Sequence, residues 1–385
     1  MKKQIKKTVL IAPCLPSYLL DKYINDYSIQ DVPAYRFSWN IVKGLKENGL
    51  LVEVISELKI VHDSKKNLSC KEEIDGVDLY LYVDKKKTLL GFLAKTIIIL
   101  KYLISLKPNT ILVYSLHTPY LLSVFLFSIF HPSRKIIFVP DLPMYMRHKM
   151  GWGIKILKII DNKFQENLLK GYELFVLLTE EMKTVLNVPT SKYIVMEGIF
   201  DSSNYAIEKS DRTEKYILYT GAIEERYGCK KLLEDFLASK QKYELWFCGK
   251  GEFVEELKKI CINNKKVKYL GFLNIEKVRN LQTNASLLIN PRSASDTYTR
   301  FSFPSKTMEY LASGTPVMME KLPGVPVEYY KYILEIIDGD ITQALNDFYD
   351  TPDTTLNEIS ISAKNFIIKN KNTKVQMKQI FELLD

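Results

Sequence analysis

Short apolar runs alternate with longer stretches of helical period along most of the chain. In the first half, Val9–Ala12, Leu51–Ile55, Leu79–Val83, Thr110–Tyr114, Lys135–Val139 and Tyr172–Leu177 read as strands. Ala34–Asn48 reads as a helix, with Gly49 at the C′ position where a left-handed residue ends a helix. Helical stretches separate most of these strands. The alternation predicts an α/β chain, a parallel sheet with helices on both faces.

The pattern pauses after Ile194-Val195-Met196, where the polar stretch Ser202–Glu214 follows. Exposed polar chain of this kind marks a domain boundary, which separates residues 1–200 from 201–365. The second half then restarts. Tyr216–Tyr219, Glu244–Phe247, Val267–Leu270, Ser286–Ile289 and Pro316–Met319 read as strands with helices between them. Leu356–Leu384 reads as helical with a break at Lys369–Asn372, and residues 366–385 are set apart as a C-terminal helix.

At 385 residues the chain is long enough for two domains that each bury a core. Thr8–Ala12 is too short for the apolar core of a signal peptide and reads as strand. Five cysteines (Cys14, Cys70, Cys229, Cys248, Cys261) form no CxxC pair. This argues against a disulfide or zinc framework and predicts a reducing, cytoplasmic compartment. The formal net charge is +9. A phosphate-rich ligand or an anionic membrane would answer it, and a generally lysine-rich composition accounts for it equally well. No nucleic-acid-binding motif is found, so no nucleic-acid partner is expected. Leu89–Leu106 is strongly apolar but carries Lys95 and Lys101, and Pro119–Phe130 is only a dozen residues long. Neither reaches the roughly 20 apolar residues of a spanning helix. Two readings stand: buried helices, or a face lying on the bilayer with Lys85, Lys86, Lys87, Lys95, Lys101 and Lys107 meeting headgroups.

The chemistry concentrates in residues 286–317, which read as strand, polar loop, helix, Gly stop, strand. Pro304 suits a first helical turn and Gly314 a C-cap, so the helix runs about Pro304–Ser313. Its N-terminus faces the carboxyl end of the preceding strand, where open α/β sheets bind ligands. Free N–H groups, the helix dipole, Ser305 and Lys306 make an anion site. Glu309, a turn further in, can accept from two hydroxyls of a ribose.

This stretch resembles the donor motif of the retaining GT-B glycosyltransferases of family 4, a group that includes many capsule and exopolysaccharide enzymes. That motif has a Glu, seven residues, a second Glu, then Ala/Leu-Ala-x-Gly-x-Pro-Val. Glu309-Tyr-Leu-Ala-Ser-Gly-Thr-Pro-Val317 matches its second half. Phe301 stands where the first Glu, a donor-sugar contact, is expected; Thr299 or Arg300 are its substitutes, and Phe303 lies in the same donor loop. Tyr216–Leu233 resembles the segment that opens the family's donor domain. Its glycine is Gly221, but the diphosphate-clamping Arg and Lys are replaced by Ala222 and Tyr227, leaving Arg226 as the nearest cation. Phe247-Cys-Gly249-Lys-Gly251 matches the family's Gly-x-Gly turn, and Tyr269-Leu-Gly-Phe272-Leu273 the loop whose backbone meets the nucleobase.

In the first half, Thr110-Ile-Leu-Val-Tyr-Ser-Leu-His117 resembles the segment whose His lies at the transferred sugar and the acceptor. The other histidines are His62, His131 and His148. Asp141, ending the next strand, is a candidate to orient an acceptor hydroxyl, and also a good turn residue between prolines. Ala12-Pro-Cys-Leu-Pro16 replaces the family's Gly-rich first loop, and Arg36 is a further acceptor-side candidate.

The resemblance implies two Rossmann-like domains facing across a cleft, with the final helix crossing back to the N-terminal domain. It implies retention at the anomeric carbon, no cofactor beyond a nucleotide-sugar co-substrate, no metal, and UDP as the commonest base. The implied acceptor is a polyprenyl-diphosphate-linked or other glycan at the inner membrane face. The missing first Glu and missing Arg/Lys pair keep a second reading open: a catalytically degenerate protein of this fold that binds a sugar nucleotide or supports a partner glycosyltransferase.

Overall fold

The computed structural model describes residues 7–20, 31–59, 69–83, 89–142, 152–202 and 214–383. The chain forms two compact units, Met1–Ile199 joined by Thr373–Asp385, and Phe200–Asn372.

The first unit is built on eight strands: β1 (Lys7–Ala12), β2 (Leu51–Leu58), β3 (Ser69–Ile74), β4 (Val77–Val83), β5 (Thr110–Tyr114), β6 (Arg134–Val139), β7 (Leu174–Leu177) and β8 (Tyr193–Val195). They lie in the order β3-β4-β2-β1-β5-β6-β7-β8. The pairs are parallel except β3 with β4. Continuous apolar runs such as Val9–Ala12 and Ile111–Val113 are fully buried, as central strands covered on both faces require.

The antiparallel edge strand β3 departs from the expected all-parallel sheet. Its sequence, SCKEEI, has no apolar alternation, because an edge strand carries charge on its open side. The signal lay in the turn: Asp75 and Gly76 adopt φ 52° and 69°, the two left-handed residues of a tight hairpin. Gly76→Ala is expected to destabilise the first unit by about 1 kcal/mol through this backbone conformation alone. A Cβ there would meet only the end of Lys46, at 3.6 Å. A lowered urea midpoint at unchanged slope would report it.

The helices of this unit are α1 (Val32–Glu47), α2 (Leu89–Leu106), α3 (Thr118–Ser128), α4 (Trp152–Leu169) and the short α5 (Met182–Leu186). Chain direction across the sheet reverses between β1→β2 and β4→β5→β6→β7. Right-handed crossovers therefore put α1 on one face and α2, α3 and α4 side by side on the other; α3 packs against both α2 and α4. Among the described residues no helix is long and apolar enough to cross a membrane.

The second unit has six parallel strands: β9 (Tyr216–Ala222), β10 (Glu244–Lys250), β11 (Val267–Tyr269), β12 (Leu287–Asn290), β13 (Val317–Met319) and β14 (Leu334–Glu335). Their order is β11-β10-β9-β12-β13-β14. Helices α6 (Cys229–Ala238), α7 (Val254–Asn263), α8 (Ile275–Asn284), α9 (Ser305–Ser313), α10 (Ile341–Asp350) and α11 (Asp353–Asn370) cover them. β14, of two residues, was not foreseen from the sequence.

The break in the C-terminal helical region falls where the polar run lies, between α11 and α12 (Thr373–Glu382). Residue 366, the expected start of the final helix, is inside α11, and the chain passes to the first unit after Asn372. There α12 packs on α1. Thr373 donates to Glu47 at 2.5 Å, Asn48 to the Lys374 carbonyl at 2.9 Å and Gln376 to the Gly198 carbonyl at 2.8 Å.

Candidate functional site

In the second unit the winding reverses between β9 and β12: β10 and β11 build to one side, β12 to β14 to the other. Ligands of open α/β sheets sit outside the carboxyl ends of the strands at such a point. The loops there are packed main chain to main chain. The register runs Gly249 opposite Gly221 and Lys250 opposite Ala222, so Gly249, read as part of a turn, and Gly221 are paired within the ladder, one position before its end. A Cβ on Gly249 would overlap the Gly221 carbonyl oxygen, and one on Gly251 the Ile223 carbonyl oxygen. Glycine is therefore required here for close approach.

Helix α9 begins at this end. Pro304 is its N-cap, so the helix starts at Ser305, one residue later than expected, with no side chain capping the first turn, and Gly314 ends it in the left-handed region at φ 77°. Tyr310 holds the helix against β9. Its hydroxyl accepts from the Thr220 N–H at 2.7 Å and donates to the Thr220 carbonyl at 3.1 Å, fully buried. Asn290, at the end of β12, donates to Thr307 Oγ1 at 3.3 Å. The residue before Tyr310 is Glu309, so two buried contacts fix where its carboxylate starts from.

Lys306 Nζ donates to Glu309 Oε2 at 2.6 Å, both half-exposed. Lys306 also lies near Cys248 Sγ: burial pushes this thiol up, while the Leu273 N–H and the Lys306 ammonium oppose that. Residues from the ends of β10 and β11 and from α9 thus share one locality. Phe272 is exposed, with Lys250 Nζ 4.1 Å from its ring centroid. Ser305 is exposed in the first turn of α9.

The cations arrange differently from the sequence reading. Arg226 donates through Nε to Glu224 at 2.6 Å, and its guanidinium lies 4.6 Å from the Tyr227 ring centroid. Arg292 was missed. It follows β12 directly after Pro291, half-buried, 4.5 Å from the Tyr227 ring centroid and 5.9 Å from that of Tyr298. Among the described residues no carboxylate pairs with it. Tyr298 ties the two loops by donating to the Arg226 carbonyl at 3.1 Å, and its burial pushes its phenol up to about 12. Two guanidiniums on one aromatic ring, one lacking a counter-ion, form a locus for an anion. The available signal was position: Arg292 is the second residue past the apolar run that forms β12.

Other expectations in the donor loop shift. Thr299 is fully buried and donates to the Asp296 carbonyl at 2.6 Å, so its hydroxyl is committed inside the protein. Phe301 is buried, and Phe303 is buried with its ring 5.5 Å from that of Tyr329, so the Phe303 side chain belongs to the core. Arg300 is exposed on the short helical turn Thr297–Phe301.

In the first unit the corresponding reversal lies between β1 and β5. His117 is the N-cap residue of α3 at the carboxyl end of β5, and its side chain makes no capping bond. Its Nε2 is 3.1 Å from Lys95 Nζ, and its ring meets Tyr120 edge-on at 4.7 Å. Lys95 is buried and paired with Glu57 at 2.7 Å; Glu57 also accepts from the Tyr120 hydroxyl. Lys95 is therefore withdrawn from the headgroup-facing set of lysines, because a buried carboxylate needs its charge. Lys85, Lys86 and Lys87, like His62 and His148, lie outside the described residues. His131 stacks on Phe127 at 4.7 Å. Asp141 is exposed past the end of β6, and Arg36 is exposed on α1. The loop after β1 is pinned by Ser56, whose hydroxyl accepts from the Cys14 N–H at 2.9 Å and donates to its carbonyl at 2.8 Å.

Residues 202–332 match the family model described as glycosyl transferases group 1. A search of curated protein sequences gives no match. Solved structures match over nearly the whole chain. A glycosyltransferase from Rickettsia africae is 14% identical, covering 98% of this chain and 97% of its own, with a TM-score of 0.68. Sucrose-phosphate synthase from Thermosynechococcus elongatus is 11% identical, covering 98% and 99%, at 0.66. HepE from Anabaena, solved in complex with UDP, is 14% identical, covering 98% and 99%, at 0.64. At such identities the structures speak for the fold, and the family model speaks for the second unit. The chain thus has the fold of the GT-B glycosyltransferases, and its residues 202–332 match the model of the glycosyl transferases of group 1.

Proposed function

We propose that this protein is a retaining glycosyltransferase that moves a sugar from a UDP-sugar to a hydroxyl of a lipid-linked oligosaccharide in bacterial surface polysaccharide synthesis. It works without a metal ion, at the inner face of the membrane. The observation that carries the reading is the placement of Lys306 and Glu309 on α9, at the switch point of the second sheet, inside the segment that matches group 1. The complexes of Anabaena HepE with UDP and with UDP-glucose support the choice of base, by analogy of fold.

In this reading Glu309 accepts from the ribose hydroxyls, and the Gly249–Gly251 and Phe272–Leu273 backbone borders the nucleotide. Arg292, Arg226 and Lys306 surround the diphosphate. As the bond from the anomeric carbon to the β-phosphate oxygen breaks, negative charge grows on that oxygen, and fixed cations stabilise it most at that moment. The acceptor oxygen forms the new bond on the same face, and its proton passes to the departing phosphate. His117 and Asp141 serve the sugar and the acceptor hydroxyl.

The degenerate reading has its own support in the buried Phe301 and in Ala222 and Tyr227 at the clamp positions. Calorimetry against UDP, GDP, ADP and CMP, with and without EDTA, separates the two. Saturable binding of UDP that EDTA leaves unchanged, followed by release of UDP from a UDP-sugar when acceptor is added, is the expected result. Binding without turnover over a panel of lipid-linked acceptors supports the degenerate protein, and no binding at all overturns both.

A further inference from the structure

The three helices on one face of the first sheet are inverted in polarity. Their polar contacts point inward. Ser123 of α3 donates to the Thr96 carbonyl of α2 at 3.0 Å. Thr118 of α3 donates to Asp161 of α4 at 2.6 Å, and Gln165 of α4 donates to Thr118 at 2.7 Å. Their outward surfaces are apolar. More than half of the large apolar side chains exposed among the described residues lie on α2, α3, α4 and the turn after α3.

On α2 one stripe at helical spacing, Leu90, Leu93, Ile97 and Ile104, faces out, while Ile99, Leu103 and Leu106 face in. The helix is apolar all round, as a helix buried on both sides is. Phe130, 80% exposed, stands just past the end of α3, and Leu157, 69% exposed, and Ile160 stand exposed on α4. Exposed apolar side chains gathered on packed helices, rather than scattered singly, mark an interaction surface.

Lysines outnumber carboxylates among the exposed charges of this face. α2 and α3 contain no Asp or Glu. Lys101 is exposed within the α2 stripe, Lys107 is exposed just past the end of α2, and Lys163 is exposed on α4. Of the two carboxylates on α4, Asp161 is turned in to Thr118 and Gln165, which leaves Glu166 as the exposed one. Apolar side chains interleaved with lysines, on helices held flat against a sheet, match the interface of an anionic bilayer: the apolar groups enter below the headgroups and the ammonium groups stay level with the phosphates.

We infer that the outer face of α2, α3 and α4 is a docking surface for an anionic lipid bilayer. This deepens the proposed membrane location and rests on it, but owes nothing to the donor site. The face holds the first unit parallel to the membrane without any spanning segment.

The test is flotation of the full chain with vesicles of phosphatidylcholine alone, or with roughly a third phosphatidylglycerol, at low and high salt. The expected result is flotation with the anionic vesicles, weakened by salt, and at least tenfold weaker partitioning of Ile97→Gln/Leu157→Gln/Ile160→Gln. If that variant unfolds, Lys101→Glu/Lys163→Glu gives the same readout at exposed positions. UDP calorimetry on the same samples reports the donor reading separately. A wild-type protein that stays at the bottom overturns the membrane location itself. A triple variant that floats as well as the wild type overturns the assignment to this face alone. A wild-type dimer that the triple variant converts to monomer, with no flotation by either, assigns the face to a second copy of the chain and also overturns the inference.

Discussion

His117→Ala is expected to lower the rate of sugar transfer by about 10²–10⁴-fold, the range of a positioned acid–base or hydrogen-bonding group, while nucleotide affinity stays within a factor of about two. The prediction follows from how the ring is held. Lys95 is buried and ion-paired with Glu57, so its ammonium is a fixed feature of the site. At 3.1 Å from Nε2 it has only hydrogens to offer, which makes Nε2 an acceptor and places the ring proton on Nδ1. The edge contact with Tyr120, itself anchored on Glu57, sets the ring plane. The ammonium of Lys95 and the ring of Tyr120, both tied to Glu57, thus define one orientation and one tautomer of one histidine. The substitution removes no helix cap, since the side chain of His117 makes no capping bond. A kcat near that of the wild type in a UDP-release assay would remove the residue from the reaction.

Glu309→Ala is expected to weaken UDP binding by about 10- to 100-fold, the loss of charge-assisted hydrogen bonds to two ribose hydroxyls. Stability should change little. The carboxylate is half-exposed and its ion pair with Lys306 is a helix-surface contact of the kind that contributes about 0–1 kcal/mol. That separation makes the experiment clean: a fall in affinity at an unchanged melting temperature reads the ligand contact. Affinity equal to the wild type by calorimetry would take Glu309 out of the site, and with it the main ground for placing the ribose at α9.

Much of this protein is legible before folding. Strands covered on both faces must be continuous apolar runs, and Val9–Ala12, Thr110–Tyr114 and Lys135–Val139 each lie within an observed strand. Helix ends need particular residues, so Pro304 and Gly314 bracket α9 to within one position. What escaped has physical reasons too. The edge strand β3 sets Glu72 between Cys70 and Ile74 on its covered face, which breaks the apolar alternation, and only its Asp75-Gly76 turn betrays it. The extension of β9 and β10 through Gly221 and Gly249 depends on main-chain pairing, which side chains do not encode.

The site divides along the same line. Its location at strand ends was set by the order of local elements, because a strand, a loop and a capped helix can form in only a few arrangements. The fate of individual side chains was not. Lys95 turned inward to Glu57, Thr299 and Phe303 were taken into the interior, and Arg292 came to share the Tyr227 ring with Arg226. The apolar character of α2 was plain from its sequence; that half of it faces outward was decided by the neighbours it packs against. Periodicity records which residues share a face of a helix or a strand. Which face is covered, and by what charge, is set by contacts between segments far apart in the chain, and those exist only once the chain has folded.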